Sequence, residues 1–307
     1  MPADGGHGDD TDSSESAVDR PAGDDPTAGS EGGRWLPGVG ADSNRTSRAS
    51  GVCGGRDSRS VDPLGARWVG DLGTVGQRLF VLVLVVALFA LAFGAGRAVV
   101  RLAELTVGVG EPGTVSRLLV GVAGLQVAGF GIGLALVVAD RAEPLLYLRV
   151  GEFDQWTALY GTAVGMTLML VASAVTVAFQ VLGVEPAESA TGAAADPLFY
   201  LVLFVVSTAV AVPMEELFFR GIVQRSLETV WHPAVAIGVT SLLFVTVHTS
   251  VTVGTGGEAL VFGMFFAFGV VLGVGYHLTG NLLVPVVGHI VFNGAQTLTQ
   301  AVEVAVS

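Results

Sequence analysis

The sequence predicts an all-α protein: a polytopic bundle of about seven or eight transmembrane helices behind a disordered acidic N-terminal tail. Three observations lead there. The 307-residue chain is 51% hydrophobic and only 14% charged, where an ordinary soluble domain carries about 25% charged residues. Its mean hydropathy is +0.66, and a water-soluble chain of this length lacks the interior volume to hide so much apolar surface. Beyond the tail, apolar runs alternate with short polar breaks, and roughly 20 apolar residues suffice to cross a hydrocarbon core of about 30 Å.

The tail comes first. Met1–Asp71 holds 13 acidic residues against 7 arginines and is rich in Gly, Asp, Ser and Pro. Such a stretch cannot bury enough surface to offset its ordering entropy, so residues 1–72 are expected to be disordered and residues 73–307 to form the transmembrane domain. The spans predicted within it are Leu79–Gly96, Leu118–Ala139, Trp156–Val184, Pro197 to about Gln224 across Pro213, Pro233–Thr249, Ala259–Leu278, and Leu282 to about Val302. An eighth would come from Val99–Val109 as a re-entrant or interfacial helix. Arg67, Arg78, Arg141, Arg149 and Arg225 fall on one side of this arrangement and Arg97, Arg101 and Arg117 on the other. The majority places the N-terminus in the cytoplasm of a multi-pass cell-membrane protein, with the loop after the fourth span opening the site toward that side.

Composition also excludes. The net charge is -12, and every one of the 15 basic residues is Arg, which removes the basic footprint of a nucleic-acid binder. The single cysteine, Cys53, forms no internal disulfide and no metal site. No apolar stretch of signal-peptide type is expected in the first 70 residues.

Inside a bilayer an ionisable side chain costs about 2.5–3.5 kcal/mol, so each one asks for an explanation. The fourth span carries Glu215, Glu216 and Arg220 in an EExxxR pattern, the fifth Phe244 and His248, and the seventh His289 and Asn293. Glu216 and Arg220 are four apart, on one helix face and in the favoured order, as are His289 and Asn293. Glu215 lies 13 residues before the turn at Glu228–Pro233 and His248 lies 15 after it, so an antiparallel hairpin brings both to one level, roughly 20 Å from the turn. His289 comes out about one helical turn shallower, a mismatch that tilt or a kink at Pro285 would absorb. Two carboxylates, two imidazoles, an amide and an arginine on neighbouring spans have the makings of a water-activating hydrolytic site.

At these residues the chain resembles a known family. PMEELFFRGIVQRSL at Pro213–Leu227, FVTVH ending at His248 and HIVFN from His289 are similar to the CPBP family of CAAX prenyl endopeptidases and bacteriocin-processing or Abi-type intramembrane proteases, over about residues 196–300. The resemblance implies peptide-bond hydrolysis at the membrane, with a peptide or protein substrate whose C-terminus is prenylated in some members. It implies Glu215 as general base, His248 as a second holder of the water, His289 and Asn293 as oxyanion stabilisers, and Glu216 with Arg220 as orienting residues. The family has been described both as metalloproteases and as metal-free glutamate enzymes. Glu215, His248 and His289 would be the ligands of a divalent metal such as zinc, but the HExxH signature is missing, which favours a mechanism with no cofactor. Two other classes compete with the protease reading. One is a non-catalytic membrane scaffold or sensor that keeps the fold; the other is a proton-coupled transporter, whose inverted repeats are not evident.

Overall fold

In the computed structural model, residues 64–65, 72–111, 113–184, 196–249 and 257–306 are described, all within the unit Ser58–Ser307. The predicted tail lies outside them apart from Leu64, Gly65 and Leu72. Among the described residues every regular element is a helix: α1 (Thr74–Thr106), α2 (Val115–Asp140), the single turn α3 (Pro144–Tyr147), α4 (Gln155–Leu182), α5 (Pro197–Glu228), α6 (Pro233–Thr249), α7 (Glu258–Thr279) and α8 (Leu283–Val306).

Each predicted span falls on one of these helices, and the eighth is corrected. Val99–Thr106 is the last part of α1, because no proline interrupts the run and the helix ends only where Gly108 and Gly110 adopt φ of 68° and 73°, left-handed values suited to glycine. Five helices (α1, α2, α4, α5 and α7) are long and apolar enough to cross a membrane. The α6 helix has 17 residues, and in α8 the polar residues His289, Asn293, Gln296 and Gln300 dilute an otherwise apolar sequence. Side chains such as Leu170, Val181 and Leu105 point outward, 68%, 78% and 85% exposed, as lipid-facing surfaces require.

Local chemistry sets the helix ends. The Asp154 carboxylate accepts the Thr157 amide at 2.8 Å to cap α4, and these cap bonds hold its carboxyl below the usual range. Asp196 caps α5 in the same way, accepting from Leu198 at 2.9 Å, with Pro197 at the first helical position. In α8, Pro285 stands in the first turn, where its missing N–H breaks no helical bond, so the kink anticipated there is not needed. In α5, Pro213 follows a wide π turn at Ser207–Ala211, and a second one runs over Leu217–Gln224. The first absorbs the bond that proline cannot donate.

Glycines let neighbouring helices approach closely. A Cβ on Gly165 of α4 would stand 2.8 Å from the Gly288 carbonyl oxygen of α8, and one on Gly124 would stand 2.7 Å from the Gly96 carbonyl oxygen of α1. Small residues at helix contacts are how membrane helices gain dispersion energy without a hydrophobic drive. Gly165→Ala is therefore expected to lower stability by about 1–3 kcal/mol through overpacking. Thermal unfolding in detergent checks it against Gly263→Ala, where the added Cβ meets nothing within 4 Å.

The described members of the two arginine groups stand at opposite ends of the bundle, and Arg67 lies outside the described residues. At one end Arg78 Nε donates to the Val230 carbonyl at 3.1 Å, Arg141 lies 4.7 Å from the Tyr147 ring centre, and Arg149 lies 5.7 Å from that of Tyr276. Burial there pushes the Tyr147 phenol up from its ordinary range. At the other end Arg101 and Arg117 both hold Glu104, at 2.8 and 3.0 Å.

Candidate active site

The helical break in α5 and the hairpin to α6 place most of the site. Phe218, Phe219, Ile222 and Phe244 are almost wholly buried, and the edge-on contact of Phe219 with Phe244, ring centres 5.3 Å apart, locks the two helices together. On this apolar floor the polar groups meet. His248 Nε2 lies 3.9 Å from Glu215 Oε2, so the common level expected of these residues is found. Glu215 is 7% exposed. Its Oε1 accepts from Gln126 Nε2 of α2 at 2.8 Å, which leaves Oε2 toward His248.

His248 is held on both faces and at one nitrogen. Its ring is stacked between Phe244 and Phe265, ring centres 4.1 and 4.8 Å away. Its Nδ1 lies 2.9 Å from the Phe244 carbonyl oxygen. A carbonyl only accepts, so Nδ1 carries a proton, and in the neutral ring Nε2 turns a lone pair toward Glu215. The 3.9 Å between Nε2 and Oε2 is too long for a direct hydrogen bond and short enough for one water to touch both.

Glu216 sits in a different environment. Both it and Arg220 are fully buried. Arg220 places Nη1 3.2 Å from Oε1 and Nε 3.2 Å from Oε2, while His289 Nδ1 stands 2.8 Å from Oε1. The imidazole of α8 thus partners the second glutamate, not the first. The one-turn mismatch in depth was reckoned against Glu215 and His248, whereas His289 meets Glu216, one residue nearer the turn, where the π-helical stretch Leu217–Gln224 begins. Asn293, one turn along α8, donates to Ser207 Oγ at 3.3 Å.

Arg220 begins a polar row between α5 and α7. Its Nη2 donates to the Gly269 carbonyl at 3.4 Å, and Gln224 donates to the Gly273 carbonyl and to Glu228, both at 3.0 Å. Glu228 then meets His277 Nδ1 at 3.1 Å and Arg149 at 3.7 Å. Partners on both helices recur every fourth residue.

Of the six residues singled out in the sequence, Glu215 meets His248, and Glu216 meets Arg220 and His289, while Asn293, one turn from His289, bonds to Ser207 and to none of the other five. Two that sequence reasoning missed join them: Gln126 on Glu215 and Ser207 on Asn293. Gln126 carried a usable signal as a lone amide within an apolar span, expensive in the same way as a charge. The site also lies away from the loop after α5. His248 is the penultimate residue of α6, so the site stands nearer the Arg97–Arg117 end than the Arg225 end, where access had been expected.

The donor set does not suit zinc as arranged. Among the described residues no three His, Cys, Asp or Glu side chains gather to hold a metal ion, and His289 is engaged with Glu216 and not with Glu215 and His248.

Residues 197–295 match the family model of Rce1-like type II CAAX prenyl endopeptidases. The match takes in every residue of the EExxxR, FxxxH and HxxxN groups, and the resemblance read from them holds over that segment. It is a protease family, so peptidase activity, a protein or peptide substrate and a membrane setting go with it. No curated protein and no solved structure matches the chain.

Proposed function

We propose that the chain is an intramembrane endopeptidase of CPBP type, cleaving peptide bonds of a cell-membrane or membrane-delivered substrate with water activated by Glu215 and His248. The observation that carries this reading is the pair of acceptors at 3.9 Å, Glu215 Oε2 and the lone pair of His248 Nε2. A water that donates one hydrogen to each has its own lone pairs free for a carbonyl carbon. As the C–O bond forms, the proton passes to Glu215 and the carbonyl oxygen becomes an oxyanion. Asn293 has a second amide N–H for that oxygen. His289, held on Glu216 through Nδ1, has an Nε2–H to donate in its imidazolium form. Glu215 then returns the proton to the leaving amine and the C–N bond breaks. Glu216, held by Arg220, sets the His289 imidazole. The step runs through no metal.

The test is cleavage of a prenylated CAAX peptide and of an unprenylated peptide library by the purified full chain. Wild type is expected to cleave members of one or both sets, undiminished by a zinc chelator. His248→Ala is expected to lose about 10²-fold or more. Equal cleavage by wild type and His248→Ala overturns the water-holding role, and loss on chelation overturns the metal-free mechanism. Cleavage confined to the prenylated peptide would assign the chain the narrower CAAX specificity.

A further inference from the structure

A second pocket lies at the Arg97–Arg117 end, and of its lining residues Val247 alone falls within the segment that matches the protease family. Its volume is about 350 Å³, and it is walled by one face of α1 (Phe93, Arg97, Val100, Arg101, Glu104), by Arg117, Gly121 and Leu125 of α2, and by Val247 of α6. The lining changes character with depth. Charged groups stand at the mouth, and Phe93, Leu125 and Val247 stand at the inner end. Glu104 to Phe93 is eleven residues of helix, about 16 Å, or half of the roughly 30 Å hydrocarbon core. The pocket thus has the length of one leaflet.

Among the described residues its charge is positive. Three arginines face one carboxylate, Glu104, which takes a bond from Arg101 at 2.8 Å and from Arg117 at 3.0 Å. Each guanidinium has five N–H donors, and most of them have no partner among the described residues. Arg97 lies 5.5 Å over the Phe93 ring, a contact that leaves the fork open. Planar guanidinium forks match phosphate oxygens in pairs.

We propose that this pocket binds an anionic phospholipid, its phosphate on Arg97 and Arg117 and one acyl chain along Phe93, Leu125 and Val247. A net negative headgroup answers the surplus of two positive charges, and the apolar inner end answers the chain. Val247 and Leu125 are the sequence neighbours of His248 and Gln126, so the lipid packs beside the helix turns that carry the site.

Native mass spectrometry of the full chain in neutral detergent, with lipid added, tests this without reference to peptidase activity. The wild type is expected to retain phosphatidylglycerol at least tenfold better than phosphatidylcholine, and the doubly substituted Arg97→Gln/Arg117→Gln protein to lose that preference. Arg78→Gln, at the other end, should keep it. Gly121→Leu fills the pocket from a position where an added Cβ meets nothing within 4 Å, so it should fold and yet retain less phosphatidylglycerol with all three arginines present. Equal retention of the two lipids, unchanged retention in Gly121→Leu, or binding of glycerol 3-phosphate as tight as that of the lipid each overturns the proposal; the last would make it a site for free phosphates.

Discussion

Glu215→Gln is expected to lower peptide cleavage by about 10²–10⁴-fold, the usual contribution of a positioned general base, without lowering stability. The amide keeps the size of the carboxylate, and its oxygen still accepts the bond that Gln126 donates at 2.8 Å. What it lacks is the basicity to take a proton from water. Glu215 is 7% exposed, its direct partner is an amide and its nearest ring is an imidazole at 3.9 Å, so replacing it with a neutral group removes a desolvated charge. Unfolding in detergent should then occur at the wild-type temperature or slightly above while product formation collapses. Cleavage within threefold of wild type would overturn the assignment of Glu215 as base. A parallel fall in stability would instead make Glu215 a structural residue.

The second large effect is on the fold. Arg220→Met is expected to destabilise the protein by about 3–5 kcal/mol, because removing one member of a buried ion pair strands the other. Both side chains are 0% exposed, and Glu216 would keep only His289 at 2.8 Å. The loss is a large part of the 5–15 kcal/mol that holds a typical domain together. The paired replacement Glu216→Gln/Arg220→Met leaves no buried charge and is expected to recover most of it. Unfolding of the two single variants, the double variant and wild type in detergent measures the coupling. Additive effects would mean that the 3.2 Å contacts carry none of the stability.

The helices and the level of Glu215 against His248 were legible because they depend on quantities the chain displays: lengths of apolar runs, the turn before Pro233, and the α-helical rise. The partner of His289 was not, since the π turn at Leu217–Gln224 is made from the same side chains as an α-helix and leaves no mark in their pattern. Gln126 and Ser207 escaped for another reason. Each bonds to a residue more than 80 positions away, and a lone amide or hydroxyl at no regular spacing points to no partner. The charge of Arg97 stands between the apolar run ending at Gly96 and Val99–Val109, which itself holds Arg101. At 33 residues, about 50 Å of helix, α1 is long enough to carry those charges to the bilayer surface.

The polar row between α5 and α7 also fixes how far one helix can slide along the other. Apolar faces in lipid grip weakly and would allow neighbouring depths at little difference in energy. A slip by one turn would set Arg220 against the Gly273 carbonyl and Gln224 against His277, leaving Glu228 past the last rung and the Gly269 carbonyl without its arginine. A slip by less than a whole turn would match no rung at all. The row works as a vernier: it sets the depth of Glu216, and with it that of His289, from the membrane surface at His277 and Arg149 inward.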